Sequence, residues 1–585
     1  MRRKTLLAFL GQWKNRFTPY KKWIGDLKDK EVIRADLLAG LTVALVLVPQ
    51  SMAYADLAGL PAYVGLYASF IPVIIASLFG SSRQMATGPV AMVSLMTAAA
   101  LAPLGLDPAT TMVYAAFLAL SVGIFQIILG LLRLGVLVDF LSHPVILGFT
   151  NAGALIIGSS QVSKIFGLTV ERAEHYYETM WNMILEIPNT HMLTLAMGVF
   201  SLFLLILIKR LNPKLPNVLI TVVICTVISW LSGYGIDKGG VVIGEIPSGL
   251  PEFAIPSIKA EHLSILLGSV FMIAIIGFVE AISVAKAIAS QTRQRVSANQ
   301  ELVGQGLGNI TAGVFQAYPV AGSFSRSAVN FTSGARTGLS AIVTGVIVAV
   351  TLLFLTPLLY HLPQATLAAV IIIAVAGLVK IEPIKHAWKV HRHDGIIAVV
   401  VFVVTLIVAP HLEKGVLIGV LLSLGLFLYR TMSPRLLELA RHEDTTLRSA
   451  ERFGLKVSPT VSIFRYDGDL YFANSGYLEG KILNFIAEKP ELKLVVLDIE
   501  AVDQLDSTGE DMLKNLYDRL ESVGIELYLA RVKVHIEAAF KRSGLYQHIG
   551  EQRFFRQRTD AVKAAKEKMG DKIDISMYLK PMRGE

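Results

Sequence analysis

The chain has 585 residues, 53% of them hydrophobic and only 17% charged, and a formal net charge of +9; its mean hydropathy is +0.57. That balance excludes an ordinary soluble globular protein and a disordered one, and it matches a polytopic membrane protein. The single cysteine, Cys225, excludes a disulfide framework and a cysteine-built metal site.

The chain opens on a basic stretch. Arg2, Arg3, Lys4, Lys14, Arg16, Lys21, Lys22, Lys28, Lys30 and Arg34 are interleaved with Trp13, Phe17, Tyr20 and Trp23. Basic residues mark the cytoplasmic face, and tryptophan and tyrosine settle at the interface. Residues 1–35 therefore read as a cytoplasmic segment, and the net charge reads as topological rather than as a nucleic-acid footprint. The apolar run Thr5–Leu10 is too short for the core of a cleavable signal.

Hydrophobic stretches then recur to about residue 432, at 36–57, 63–80, 88–103, 110–132, 144–165, 190–209, 216–233, 263–288, 300–317, 323–333, 338–358, 364–379, 394–410 and 414–431. Several fall short of the ~20 residues that cross a bilayer. The polar stretch 234–262 divides them into a first repeat at about 36–233 and a second at about 263–433. An odd number of segments in each half predicts two repeats of opposite orientation. The even total returns the C-terminus to the cytoplasm, in agreement with the basic loop at 291–295 and the basic sequence after Arg430.

Each half contains one short segment of the same design. The first is GSSRQMATGPVAMV, from Gly80 to Val93; the second is AYPVAGSFSRSAVN, from Ala317 to Asn330. In both, Gly and Pro break an apolar sequence before a short helix begins. Interrupted segments at corresponding places in two halves point to a transporter's substrate site. A helix that starts there offers unpaired N–H groups and about +0.5 of a charge at its N-terminus. Two such ends plus Arg326 give roughly +2, enough to offset a small dianion. Arginine adds a fork of donors suited to an oxyanion. The N–H groups of Val90 and Ala91 are the donors expected from the first half, and Ser323 and Ser325 can add hydroxyls while also capping their helix. Gly88 and Gly322 allow close backbone approach, and Pro89 and Pro319 suit helix starts or breaks.

Glu280 lies deep in an apolar span, far from either end. Desolvation there favours a neutral carboxyl, which makes Glu280 a candidate proton carrier; the competing reading is a permanent ion pair with Arg326. Asp56, Asp139 and Glu413 lie near span ends and read as interfacial. Lys286 is six residues beyond Glu280 and reads as a structural or gate residue. Arg83 reads as a loop anchor.

After residue 433 the composition changes. Strands are expected at Val461–Tyr466, Leu470–Ala473, Leu494–Ile499 and Ile525–Ala530, and helices at 475–488, 507–522, 532–543 and 560–569. This predicts a linker over 434–454, a cytoplasmic α/β domain over 455–575 and a tail over 576–585. Ser507 reads as a helix N-cap, with Glu510 completing a capping box. No nucleophile–base pair, phosphate-binding loop or metal-ligand cluster is evident, so neither an enzyme nor a cofactor is expected.

Three stretches resemble the SulP sulfate-permease family: Val46–Phe70 (VLVPQSMAYADLAGLPAYVGLYASF), Phe79–Gln84 (FGSSRQ) and Gly322–Asn330 (GSFSRSAVN). Leu497–Gly509 (LDIEAVDQLDSTG) resembles a STAS domain, whose antagonist relatives are phosphorylated at the position of Ser507. Gly277–Lys286 (GFVEAISVAK) looks most like proton-coupled sulfate transporters. The resemblance implies a seven-plus-seven inverted-repeat membrane fold with two half-helices, a mobile core bundle moving against a gate bundle in an elevator motion, and a homodimer. It places Gln50 and Tyr54 in the substrate site; four residues apart, they share a helix face. It implies proton–sulfate symport across a lipid bilayer, expected to be the bacterial inner membrane, with both termini cytoplasmic. The alternatives are a bicarbonate or C4-dicarboxylate symporter or exchanger, sodium-coupled in one version, or an anion channel.

Overall fold

The computed structural model describes residues 18–136, 142–170, 175–212, 215–235, 237–247, 249–409, 411–444 and 446–578. Arg2–Phe17 of the basic stretch and Asp139 fall outside the described residues, as does the side chain of Glu413. The chain divides into two compact units, residues 1–423 and 424–585.

In chain order, the main elements of the first unit are α1 (Lys30–Leu57), α2 (Ala62–Tyr67), α3 (Ile71–Phe79), β1 (Thr87–Gly88), α4 (Ala91–Leu101), α5 (Pro108–Leu131), α6 (His143–Ser160), α7 (Val162–Phe166), α8 (Tyr176–Glu186), α9 (Met192–Leu211), α10 (Asn217–Ser232), α11 (Ala260–Thr292), α12 (Ala298–Val314), β2 (Ala321–Gly322), α13 (Phe324–Thr332), α14 (Leu339–Val350), α15 (Gln364–Ala376), α16 (Glu382–Val390) and α17 (Arg392–Val408), with the boundary between the units falling inside α18 (Leu412–Met432). Among the described residues, eight helical segments are long and apolar enough to cross a membrane. The shorter α4, α10, α12, α13, α15 and α17 complete an inverted pair of seven-segment repeats.

The helices pack as two bundles. In one, α5 lies along α12, α3 against α12, and α1 along α14, with α11, α4 and α13 beside them. In the other, α6 lies along α17 and α9 along α15. The bundles meet where α1 touches α10 and α15, and where α4 touches α6. Glycines permit the closest crossings: a Cβ on Gly123 would lie 2.5 Å from the Gly306 carbonyl oxygen, and one on Gly40 2.4 Å from that of Ser340.

α1 begins at Lys30, six residues before the expected span, because Asp29 caps it by accepting from the Glu31 N–H at 2.9 Å. It runs through Pro49 without ending. The second span is two helices, α2 and α3, separated at residues 68–70.

The second unit has a six-stranded sheet of order β4-β3-β5-β6-β7-β8: β3 (Arg435–Arg441), β4 (Leu447–Ser449), β5 (Val461–Asp467), β6 (Leu494–Asp498), β7 (Glu526–Ala530) and β8 (Phe554–Phe555). β5 through β8 are parallel, and β3 is antiparallel to both β4 and β5. Helices α19 (Ser475–Ala487), α20 (Ser507–Ser522), α21 (Val534–Ser543), α22 (Leu545–Ile549) and α23 (Arg558–Met569) are the larger helices around it. Alternation along β6 sends Val495 and Leu497 into one apolar core with Leu478, Leu513 and Phe540, and Leu494 and Val496 into another with Ala561 and Val562.

Three expectations change here. Residues 434–454 are not a linker: they carry β3 and β4, and Leu439 is fully buried against β5 and its neighbours. Leu470–Ala473 is not a strand; Leu470 makes an isolated bridge to Leu505, and the chain then turns. The cap of α20 is Asp506, not Ser507, because the Asp506 carboxylate accepts the Gly509 N–H at 2.8 Å and the Phe472 N–H at 2.9 Å. Ser507 is the exposed first residue of the helix.

Candidate anion site

The two interrupted segments meet at a pair of short strands. β1 and β2 are antiparallel, with Thr87 opposite Gly322 and Gly88 opposite Ala321. Non-helical backbone inside a membrane must find partners within the protein, and this ladder supplies them. The Ala86 N–H donates to the Ser327 hydroxyl at 2.8 Å, and the Ser323 N–H to the Ala86 carbonyl at 3.0 Å. Asn309 closes the edge: its Oδ1 accepts the Val320 N–H at 2.8 Å and its Nδ2 donates to the Val320 carbonyl at 2.9 Å. Gln305 donates to the Thr87 hydroxyl at 2.9 Å, and Asn309 also donates to Gln126 at 3.0 Å.

A helix starts from each strand. α4 makes its first helical bond from the Ser94 N–H to the Val90 carbonyl at 3.0 Å, so the N–H groups of Ala91, Met92 and Val93 begin the helix without an intrahelical acceptor. α13 begins likewise with Ser327 N–H to Ser323 carbonyl at 3.0 Å. It has nine residues, or roughly 14 Å, about half a hydrocarbon core. Ser323 caps it by accepting the Arg326 N–H at 3.5 Å.

Arg326 is fully buried beside these helix starts. Its Nη1 donates to Gln50 Oε1 at 3.0 Å, and Gln50 Nε2 donates to the Tyr54 hydroxyl at 3.1 Å. α1 thus brings Gln50 and Tyr54, both 6% exposed, to the arginine. Among the described residues, Arg326 Nε and Nη2 have no partner. Gly88 sits at φ +149°, and a Cβ there would lie 3.3 Å from Arg326 Nη2. On Gly322 a Cβ would lie 2.5 Å from the Met85 sulfur and 2.9 Å from Ala281 Cβ. Both positions require glycine, one for conformation and one for space. Val90 and Ala91 are buried at the head of α4. Ser325 is exposed, and its hydroxyl lies 3.4 Å from that of Ser323.

α11 closes this side. Gly277 and Ala281 pack against β2, which places Glu280 on the same stretch of helix. Glu280 Oε2 is buried with no hydrogen-bond partner among the described residues. No ion pair joins it to Arg326 among the described residues, so the permanent-bridge reading does not hold in this structure. The arrangement combines two helix ends, an arginine with two free donors, and a nearby unpaired carboxyl.

Sequence reasoning missed several parts. Asp36 and Glu301 are buried carboxylates as well. Asp36 accepts the Arg336 N–H at 2.7 Å and the Thr337 N–H at 3.1 Å; Glu301 accepts the Ser81 N–H at 2.8 Å and the Ser82 N–H at 3.2 Å. Tyr318, fully buried, bonds Ser94 at 3.0 Å across the two segments. Asp56 is paired with Lys164 rather than free at an interface. Arg83, by contrast, anchors its loop as the sequence reading expects, donating to Asp26 at 2.8 Å and to the Lys22 carbonyl at 3.2 Å.

Fold and site together define an integral membrane transporter with a STAS domain, not an enzyme. The sulfate permease family profile matches residues 33–401, and the STAS domain profile matches residues 452–561. The chain belongs to the sulfate permease family. It is 35% identical over 571 residues to the chloroplastic sulfate transporter 4.1 of Arabidopsis thaliana, covering 94% of this chain and 83% of that one. It is 34% identical over 545 residues to a probable sulfate transporter of Mycobacterium tuberculosis, covering 91% and 95%. The solved structure of SLC26A9 superposes with a TM-score of 0.87 at 25% identity, covering 98% of this chain and 96% of that chain. The transmembrane domain of the cyanobacterial bicarbonate transporter BicA superposes with a TM-score of 0.58 at 25% identity, over 68% and 98%.

Proposed function

We propose that this protein is a proton-coupled sulfate symporter. The observation that carries the reading is Arg326: fully buried, held by Gln50, and left with Nε and Nη2 free beside the starts of α4 and α13. A buried cation is costly without compensation, and a dianion meeting two free guanidinium donors and two helix ends compensates it. The sulfate transporters among its relatives support sulfate as the anion.

Glu280 is the proposed proton carrier. An unpaired buried charge is costly, so its position suits a carboxyl that alternates between protonated and ionised forms. Ionised, it competes with sulfate for Arg326; protonated, it leaves the arginine to the anion. One proton with one sulfate still moves a net negative charge, which costs about 2.3 kcal/mol against 100 mV, inside negative. One pH unit on one proton returns about 1.4 kcal/mol. Strong accumulation therefore needs a second proton or a steep gradient.

Transport in this reading is an elevator motion of the bundle carrying α1, α4, α11 and α13 against the bundle of α6, α9, α15 and α17. The packing division supports it, as does the Asp56–Lys164 pair, which joins α1 of one bundle to α7 beside the other. The protein acts as a homodimer in a bacterial inner membrane with both termini cytoplasmic, as the family resemblance and the basic N-terminal stretch suggest.

The deciding experiment is uptake of radiolabelled sulfate into proteoliposomes with an inward proton gradient, with and without a protonophore. Gradient-dependent accumulation is expected. Transport of bicarbonate or succinate without sulfate uptake would keep the anion site and refute the substrate.

A further inference from the structure

α11 changes character along its length. In its outer half the large exposed side chains are apolar (Leu263, Ile265, Leu267 and Phe271), with exposed Glu261 and Ser264 confined to its first turns. Below Glu280 they become Ser283, Lys286, Ala287 and Ser290. At 100° per residue these four lie on one side of the helix. A lysine and two serines do not face hydrocarbon at little cost, so this face looks into water. It descends from Glu280 toward the basic loop at 291–295, the cytoplasmic side by charge. α11 packs against α13, whose first residues, Phe324 and Ser325, are exposed beside buried Arg326.

Lys380 reaches this place from the other bundle, four residues beyond the end of α15. Its Nζ lies 5.6 Å from the centroid of the Phe324 ring, within cation–π range. Its backbone is clamped on both sides by buried Asn151 of α6: the Lys380 N–H donates to Asn151 Oδ1 at 2.8 Å, and Asn151 Nδ2 donates to the Lys380 carbonyl at 3.3 Å. The ammonium makes no ion pair among the described residues. An exposed cation with a fixed backbone therefore stands over the residue that opens α13, two positions before Arg326.

We propose that Lys380 is an anion-recruiting residue at the cytoplasmic mouth of the site: it attracts the oxyanion in the vestibule and passes it by the Ser325 hydroxyl to Arg326. The proposal rests on the anion-transport reading. Because Lys380 belongs to the bundle that does not carry Arg326, it serves the site only when the site opens inward. Its loss should therefore affect one face of the membrane.

The test uses the full-length protein in proteoliposomes of fixed orientation, with sulfate supplied to either face in turn. Lys380→Gln is expected to raise KM at the cytoplasmic face roughly three- to tenfold, the scale of lost electrostatic steering, and to leave the outer KM within about twofold. Lys380→Arg should stay near wild type, and high salt should narrow the difference. Phe324→Leu, which removes the ring beneath the ammonium, should give a smaller shift on the same face and serves if Lys380→Gln does not fold. Equal KM changes on both faces, or none, would overturn the proposal. If the wild type moves bicarbonate but no sulfate, the sulfate reading fails; the same one-sided shift for bicarbonate would still uphold Lys380, and its absence would overturn it.

Discussion

Replacing Arg326 with alanine removes the one guanidinium that joins α13 to α1. Two consequences can be worked out separately. Gln50 Oε1, 6% exposed at the residue level, loses its donor; a buried polar atom left unpaired costs about 1–3 kcal/mol, which falls on stability. Nε and Nη2, the two free donors, are lost to the ligand. Each charge-assisted hydrogen bond contributes about 1.5–3 kcal/mol, so sulfate binding should weaken by about 3–6 kcal/mol, roughly 10²- to 10⁴-fold. The helix starts of α4 and α13 remain and retain part of the affinity. Isothermal titration of sulfate into purified protein gives the binding loss, and a thermal melt of the same sample reads the stability cost and shows whether the variant is folded. Arg326→Lys should fall between the two, because an ammonium keeps the charge and loses the fork. A folded Arg326→Ala protein that binds sulfate within tenfold of wild type would refute the site.

Glu280→Gln should abolish proton-driven accumulation and leave sulfate exchange at equilibrium, read as an initial rate that no longer rises as external pH falls; an unchanged pH response would remove Glu280 from coupling. Lys164→Gln breaks the link from α7 to Asp56 and should favour outward opening. With Ala98→Cys, which lies in the same roughly 820 Å³ cavity as Asp56 and Lys164, labelling by an impermeant maleimide from outside should speed up at least threefold; a rate within twofold of the parent would show that the Asp56–Lys164 pair does not hold the two bundles together. Buried Cys225 should contribute little background. A soluble fragment starting at residue 434 should unfold cooperatively, whereas one starting at 455 loses β3 and bares the edge of β5. Loss of buried Leu439 alone should cost about 1.5–3 kcal/mol, and the shorter fragment should aggregate on size-exclusion chromatography; equal stability of the two would refute the boundary.

The half-helices were legible because Gly and Pro interrupt apolar sequence at two matched places, and Arg326 because a cation in such a segment has few structural uses. Gln50 and Tyr54 were legible only through the family's motif, since a polar pair on one helix face also fits helix packing. The two-residue strands were not legible, because two residues carry no period. Asn309, Gln305 and Gln126 read as ordinary polar residues in their spans; their role depends on a backbone that only the fold brings to them. The 434–454 stretch read as a linker because β3 is an edge-side strand with charges at both ends, Arg435 and Arg441, and its apolar residues became informative only once paired with β5. Ser507 and Asp506 are both good caps by type; the geometry of Phe472 selected Asp506.

The buried carboxylates of the transport unit differ in how they are partnered. Asp36 and Glu301 each receive two backbone N–H groups, at the head of α14 and in the loop after α3. Asp56 has Lys164. These contacts satisfy the carboxylate oxygens and tie elements together, so they serve the fold. Glu280 is treated differently: the same bundle that supplies amides to Asp36 and Glu301 leaves Glu280 Oε2 buried and unpartnered, on the helix that packs against β2. Under the proposed symport, the carboxyl left open on the helix that packs against β2 is the one suited to change its charge as the anion comes and goes, which is what Glu280→Gln tests.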